Sequence, residues 1–143
     1  MMNKPQKHTI AKRDKEKTTK TISSYLQQHE EIFAAYIFGS YVSGEPFGDI
    51  DLGILVQVEP ENLLDYEFEL EINLEKLVKI PVDVRVLNKA PASFAQNVIR
   101  QKILIIDKDP NRRADFESYV LRTYFDFAPF RRQYLAEVIN ARI

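Results

Sequence analysis

The sequence predicts an α/β (α+β) domain in which short strands alternate with helices. Apolar runs of strand length alternate with longer segments whose apolar residues recur at helical spacing. The chain has 143 residues, of which 45% are apolar. This is enough for one domain with its own core, and too apolar for a disordered chain. We therefore expect a single domain over residues 18–143, preceded by a leader over residues 1–17.

The first half of this domain is predicted to contain two helices and two strands. Helical spacing predicts helices over Thr18–His29 and Pro60–Lys79, and proline suits the first turn of the second. The strands are predicted at Ile32–Phe38 and Asp49–Val58, the latter with apolar and acidic residues on opposite faces. In the second helix the apolar stripe comprises Leu63, Leu64, Phe68, Ile72 and Leu77, and the predicted solvated face comprises Glu59, Glu61, Asp65, Glu67, Glu69, Glu71 and Glu75.

The second half is predicted to contain two strands and two helices. Val82–Leu87 is a strand because valines alternate with Asp83 and Arg85, and Ile103–Ile106 is a short edge strand. Pro91–Arg100 is a helix. The helical tail runs over Asn111–Ile143, Pro129 is expected to kink or split it, and its apolar side holds Phe116, Val120, Tyr124 and Phe127.

A Gly-Ser turn and an Asp-X-Asp pair are the residues most indicative of function. Gly39 and Ser40 end the first strand, and Asp49 and Asp51 open the second. Carboxylates two apart on a strand point to the same face and repel each other unless a cation lies between them. Such hard oxygen ligands suit Mg²⁺ or Mn²⁺, and a Gly-Ser turn offers N–H groups and a hydroxyl to phosphate.

Asp83 is the third predicted member of this site. A helix separates its strand from the Asp-X-Asp strand, so the two strands are expected to be neighbours in one sheet. Three carboxylates beside a glycine turn can support two-metal nucleotidyl transfer. Arg85, on the same face, would either clamp a phosphate or form an ion pair with Asp83. Each feature alone is more often structural, whereas their order along the chain favours the functional interpretation.

These motifs resemble a known family. The residues Phe38-Gly39-Ser40, Gly44-Glu45, Asp49-Ile50-Asp51-Leu52 and Val82-Asp83-Val84 are similar to those of the minimal nucleotidyltransferases (MNT) of the DNA polymerase β superfamily. The similarity is strongest to the MNT antitoxins that are encoded beside HEPN toxins, and it covers about residues 20–107. The loop Tyr41–Gly48 is shorter than in the family pattern, and Phe47-Gly48 replaces the usual Ser-Asp before the first carboxylate.

The resemblance implies a fold, a cofactor and a reaction. It implies a mixed sheet with helices packed on one face and the metal site on the open face. It also implies Mg²⁺ and ATP, with transfer of AMP to a tyrosine of a HEPN toxin. By matching position, Gly39 and Ser40 would hold phosphate, Asp49 and Asp51 would bind metal, and Asp83 would complete the triad. The alternative is a non-catalytic antitoxin that neutralises its partner by binding alone.

The two ends of the chain suggest contacts with other molecules. Residues 1–20 are rich in lysine, as expected for a solvated, partly disordered leader or for a basic arm that touches a partner. No aromatic residue is interleaved there, and the net charge is −1, so nucleic acid is not expected as a partner. The tail holds more aromatic residues than one buried face needs. We therefore expect the remaining aromatic surface to be covered by the toxin or by a second copy of the chain. No cysteine, membrane span or signal peptide is apparent, which favours the cytoplasm.

Overall fold

The computed structural model describes residues 12–44 and 46–141 of the chain. The predicted fold class is confirmed, since helices and strands alternate along the chain and the strands form a central sheet. The elements within the described residues are α1 (Lys12–Gln27), β1 (Ile32–Phe38), α2 (Ser40–Ser43), β2 (Ile50–Val56), α3 (Leu63–Val78), β3 (Val82–Val86), α4 (Ala92–Gln101), β4 (Ile103–Asp107) and α5 (Pro110–Ala141).

The four strands form one mixed sheet in the order β3-β2-β1-β4. β1 pairs antiparallel with β2 and with β4, whereas β2 and β3 run parallel and are joined through α3. The predicted neighbourhood of the two acidic strands is therefore confirmed, as is the edge position of β4. The register places Asp51 opposite Asp83 and Phe38 opposite Asp51, so the ends of three strands lie side by side.

Helices cover both faces of this sheet. Residues Ile50, Leu52, Ile54 and Val56 of β2 face a core shared with α1 and α3, as their alternation predicts. The opposite face carries a second apolar cluster, in which Leu55 and Leu87 pack with Val98 of α4 and Phe116 of α5. The expectation of helices on one face alone is therefore corrected: the apolar side chains on the second face need cover. The acidic end of that face stays partly exposed.

The orientation of α3 differs from its predicted amphipathic pattern. The predicted stripe is partly or largely exposed, with Leu64 75% and Phe68 62% accessible, whereas Leu70 and Leu74 are buried together with Glu67. The start of the helix also differs, because Asn62 caps it through a hydrogen bond to the Asp65 amide, and Pro60 lies before it. The prediction of this stripe as the packed face was therefore wrong.

Three glutamates of α3 explain this orientation, because they hydrogen-bond to the outer edge of β3. The carboxylates of Glu75, Glu71 and Glu67 accept from the backbone amides of Val82, Val84 and Val86, at 3.1, 2.8 and 2.8 Å. Four residues of a helix advance about 6 Å, and two residues of a strand advance about 6.6 Å. The spacing of the glutamates along α3 therefore matches the spacing of the outward-facing amides along β3. We call these residues the glutamate ladder. They satisfy an edge that would otherwise offer unpaired amides.

The ends of the domain also differ from prediction. α1 begins at Lys12, so the predicted leader boundary at residue 17 falls inside this helix; residues 1–11 lie outside the described residues. The Tyr41 hydroxyl donates to the Lys15 carbonyl at 2.9 Å and thereby ties this first part of α1 to the domain. α5 is a single helix through Pro129, so Pro129 does not split it, and the alternative of a kink stays a prediction. Among the described residues, no helix combines the length and the hydropathy that crossing a membrane requires.

The glutamate ladder predicts a marked dependence of stability on Glu67. Replacing Glu67 by Ala leaves the buried Val86 amide without its acceptor, which should lower the free energy of unfolding by about 1–3 kcal/mol. Glu67→Gln keeps an acceptor oxygen and should lose less. Glu69→Ala, on the exposed side of the same helix, is the matched control. Urea denaturation measures all three, and equal effects of Glu67→Ala and Glu69→Ala would contradict the role of the ladder.

Candidate active site

The sheet brings the three predicted carboxylates together. Asp51 and Asp83 are register partners on β2 and β3, and Asp49 lies just before β2, two residues from Asp51 and on the same side. One carboxylate oxygen from each of the three residues lies within 4.8 Å of the others. This spacing lets three side chains share a cation, so the predicted grouping of these residues is confirmed as geometry.

Electrostatic repulsion within this triad is visible at Asp51. Burial, followed by the negative charges of Asp49 and Asp83, raises the pKa of Asp51 to about 6, while the positive charge of Arg85 opposes the shift. A divalent cation between the carboxylates would relieve this repulsion. Carboxylate oxygens are the ligands that Mg²⁺ and Mn²⁺ prefer, so the donor set fits such an ion. When bound, the ion would neutralise phosphate charge and lower the pKa of an attacking hydroxyl.

Gly39 lets the turn after β1 approach the triad. Its φ angle is 81°, a conformation that favours glycine, and a Cβ at this position would lie 2.3 Å from Asp51 Oδ2. Ser40 follows as the first residue of α2. The shorter loop after it is fixed by Tyr41 and Phe47, which are buried and stack edge to face with ring centroids 5.0 Å apart. The turn therefore still contacts the Asp-X-Asp strand.

Arg85 forms one of its two predicted interactions. Its Nε lies 3.4 Å from Asp83 Oδ1, and both side chains are partly exposed. The ion pair is therefore present, although at this exposure it contributes little to stability. The predicted contact of Arg85 with phosphate stays a prediction.

Sequence reasoning missed Glu71 as a neighbour of the site. Its carboxylate accepts from the Val84 amide and lies close enough to Asp83 for the two acidic groups to interact. Burial raises the pKa of Glu71, and the charge of Asp83 raises it further against the opposing effect of the Val84 amide. The available signal was the four-residue spacing of Glu67, Glu71 and Glu75, which matches the two-residue spacing of the valines in β3.

The fold and this site define a nucleotidyltransferase. Residues 20–111 match the profile of the family described as polymerase beta, nucleotidyltransferase. The chain belongs to this family, as the motifs around Gly39, Asp49 and Asp83 predicted.

Individual relatives extend this result. The chain is 36% identical over 69 residues to the protein adenylyltransferase MntA of Thermococcus cleftensis, an alignment that spans 48% of this chain and 70% of the relative. It is similar to a chain in the structure of the tri-AMPylated Shewanella oneidensis HEPN toxin in complex with MNT antitoxin, with 21% identity, a TM-score of 0.71 and coverage of 87% and 98%. A toxin–antitoxin structure with AMP-PNP gives 22% identity, a TM-score of 0.72 and coverage of 85% and 98%. These structures show the same fold.

Gly39→Ala should impair metal binding through the contact with Asp51. The added Cβ would displace the Asp51 carboxylate, because the two groups cannot approach to 2.3 Å. Gly44→Ala is the matched control: Gly44 has a similar φ of 82° but no atom within 4 Å of the added Cβ. Both variants should lose stability through backbone strain, and only Gly39→Ala should lose affinity for Mn²⁺ in calorimetry. Equal loss in both would show that strain alone matters.

The raised pKa of Asp51 predicts that Asp51→Asn stabilises the metal-free protein, and that this gain in stability depends on pH. The contribution of Asp51 to the stability of the wild type is fully present below pH 4, near its ordinary pKa of 3.8, and is lost as the pH rises through about 6. The variant lacks the charge, so it should be more stable at pH 8 by about 1 kcal/mol, a value reduced for the partial exposure of the group. Thermal melts in chelator at pH 4 and 8 measure the gap. A gap of the same size at both pH values would contradict this origin.

Proposed function

We propose that the chain is an Mg²⁺-dependent adenylyltransferase and antitoxin, which transfers AMP from ATP to a tyrosine of a cognate HEPN toxin. The observation that carries this proposal is the Asp49, Asp51 and Asp83 triad, with carboxylate oxygens within 4.8 Å, against the Gly39 turn. Its relatives support the chemistry, since one is a protein adenylyltransferase and another is an MNT antitoxin in complex with a tri-AMPylated HEPN toxin. Because ATP is available in the cytoplasm, we propose that the protein acts there.

The residues divide the reaction between them. The tyrosine hydroxyl oxygen attacks the α-phosphorus of ATP, a new O–P bond forms, and the bond to the β-phosphate oxygen breaks to release pyrophosphate. Asp83 accepts the hydroxyl proton. Asp49 and Asp51 would hold the metal with Asp83, and the Gly39 amide and Ser40 hydroxyl would hold phosphate oxygens. Arg85 pairs with Asp83 and would add a positive charge beside the phosphates.

The tail offers a surface for the toxin. On α5, Phe116 and Val120 pack against the domain, whereas Tyr119 and Phe125 are each 63% exposed. Exposed aromatic side chains of this kind are typical of interface anchors. Further along the helix, the side chains of Phe127, Phe130 and Tyr134 lie outside those that the structure describes.

The transfer reaction is tested with radiolabelled ATP and a purified HEPN protein. Asp49→Asn and Asp51→Asn should each reduce labelling by at least about a hundredfold, because each removes a metal ligand. Ser40→Ala should lose at most about tenfold, since it removes one neutral hydrogen bond worth about 0.5–1.5 kcal/mol. Glu69→Gln is the control for charge removal away from the site. ATP affinity in calorimetry should rise with Mg²⁺ and fall in chelator.

The same assay decides between catalysis and binding alone. A non-catalytic antitoxin would neutralise the toxin without labelling it, and Asp51→Asn would neutralise it as well as the wild type. The complete triad favours the enzyme. Wild-type labelling by the Asp51→Asn variant would show that the triad does not hold the metal.

A further inference from the structure

A groove lies beside the active site, between α3 and the outer edge of β3. It is lined by side chains from residues 64–71 of α3 and 83–85 of β3, and it encloses about 430 Å³. We call it the acceptor groove. Asp83 belongs both to this groove and to the carboxylate triad, so a molecule bound in the groove reaches the site directly.

The strand order places this groove on the side from which the acceptor must approach. Gly39 follows β1, Asp51 is on β2, and Asp83 is on β3 at the edge of the sheet. In an in-line displacement, the attacking oxygen and the departing pyrophosphate lie on opposite sides of the phosphorus. If phosphate is held at the Gly39 turn, the attacking hydroxyl enters from the Asp83 side. The groove opens at that side.

The lining of the groove fits an aromatic residue within a basic segment. Leu64 and Phe68, which line the groove, are largely exposed. Phe68 offers a face on which an aromatic ring can pack. The walls carry one basic group, Arg85, and more carboxylates, from Asp65, Glu67, Glu71 and Asp83. The ion pair of Arg85 with Asp83 leaves the groove with excess negative charge.

We propose that the acceptor groove binds the polypeptide segment that carries the acceptor tyrosine, and that it prefers arginine or lysine on either side of that tyrosine. The tyrosine ring packs on Phe68, and its hydroxyl reaches Asp83, where it loses its proton as the O–P bond forms and pyrophosphate leaves. Basic neighbours face the exposed carboxylate of Asp65 and the partly exposed carboxylates of Glu71 and Asp83. This inference rests on the proposed transfer of AMP and specifies how the protein substrate is recognised.

Photo-crosslinking tests the location without requiring catalysis. The probe is a synthetic peptide with benzoylphenylalanine flanked by arginines, mixed with the full chain in the absence of ATP. Mass spectrometry should locate the crosslinks within residues 64–71 or 83–85. A peptide with glutamate neighbours should bind at least about tenfold more weakly in fluorescence anisotropy. Crosslinks only elsewhere, no binding, or equal binding of both peptides would overturn the proposal.

Kinetics with matched variants test the role of the groove in the reaction. Phe68→Ala and Asp65→Asn should each raise the KM for a tyrosine peptide with arginine neighbours about five- to tenfold and leave the affinity for ATP unchanged. Leu77→Ala and Glu69→Gln are the controls, since they remove an exposed apolar and an exposed acidic side chain of α3 outside the groove. Unchanged KM in Phe68→Ala and Asp65→Asn would overturn the proposal.

Failure of the groove and failure of the proposed function give different results. If the wild type labels the toxin but Phe68→Ala does so equally well, the enzyme stands and the groove does not bind the acceptor. If crosslinks fall in the groove but no acceptor is ever labelled, the groove binds a basic segment and the transfer reaction is wrong. Light scattering adds one more outcome: a stable dimer that Phe68→Ala dissociates, with no peptide bound, would assign the groove to a second copy of this chain.

Discussion

The hydrogen bonds from the glutamate ladder to β3 determine the position of the active site. β3 is an edge strand, held on one side by β2 and on the other by the carboxylates of Glu67, Glu71 and Glu75. In each of these hydrogen bonds a backbone amide donates to a glutamate side chain. A hydrogen bond to a carboxylate is stronger than one between neutral groups. Because both sides of the strand are satisfied, Asp83 is held in register with Asp51. An unpaired edge strand would leave this third carboxylate poorly positioned.

The triad is held together against its own repulsion. Burial and two neighbouring carboxylates raise the pKa of Asp51 to about 6, which is a cost to the folded protein near neutral pH. The sheet imposes this arrangement, since Asp51 and Asp83 are fixed as register partners and Gly39 closes over Asp51. The buried pair of Tyr41 and Phe47 fixes the turn from the other side. A site that is destabilised without its cation is suited to bind one with phosphate.

The sequence was sufficient to predict the strands, their acidic faces and the meeting of Asp51 with Asp83. These features depend on local alternation and on a helix that joins two parallel strands, both of which are visible in the chain. The faces of α3 were mispredicted because Glu67 and its ladder partners bind backbone amides, a role that hydrophobicity does not reveal. The start of α1 was missed because it depends on the contact of Lys15 with Tyr41, which are distant in sequence. The features that the sequence did not reveal therefore depend on polar interactions between residues that are distant in sequence.

The hydrogen bonds on the inner side of α3 account for the apolar side chains that are exposed on its outer side. Because the inner side must present carboxylates to β3, the leucines and phenylalanine of its predicted stripe cannot all be buried, and Phe68 remains at the surface. That surface adjoins Asp83, so the same helix that positions the catalytic strand also forms a wall of the acceptor groove. In the proposed reaction, the phosphates would lie at the turn after β1, the metal between the carboxylates of β2 and β3, and the acceptor at the outer edge of β3. Changes in α3 outside the ladder can therefore alter which segment is bound while Asp83 keeps its position.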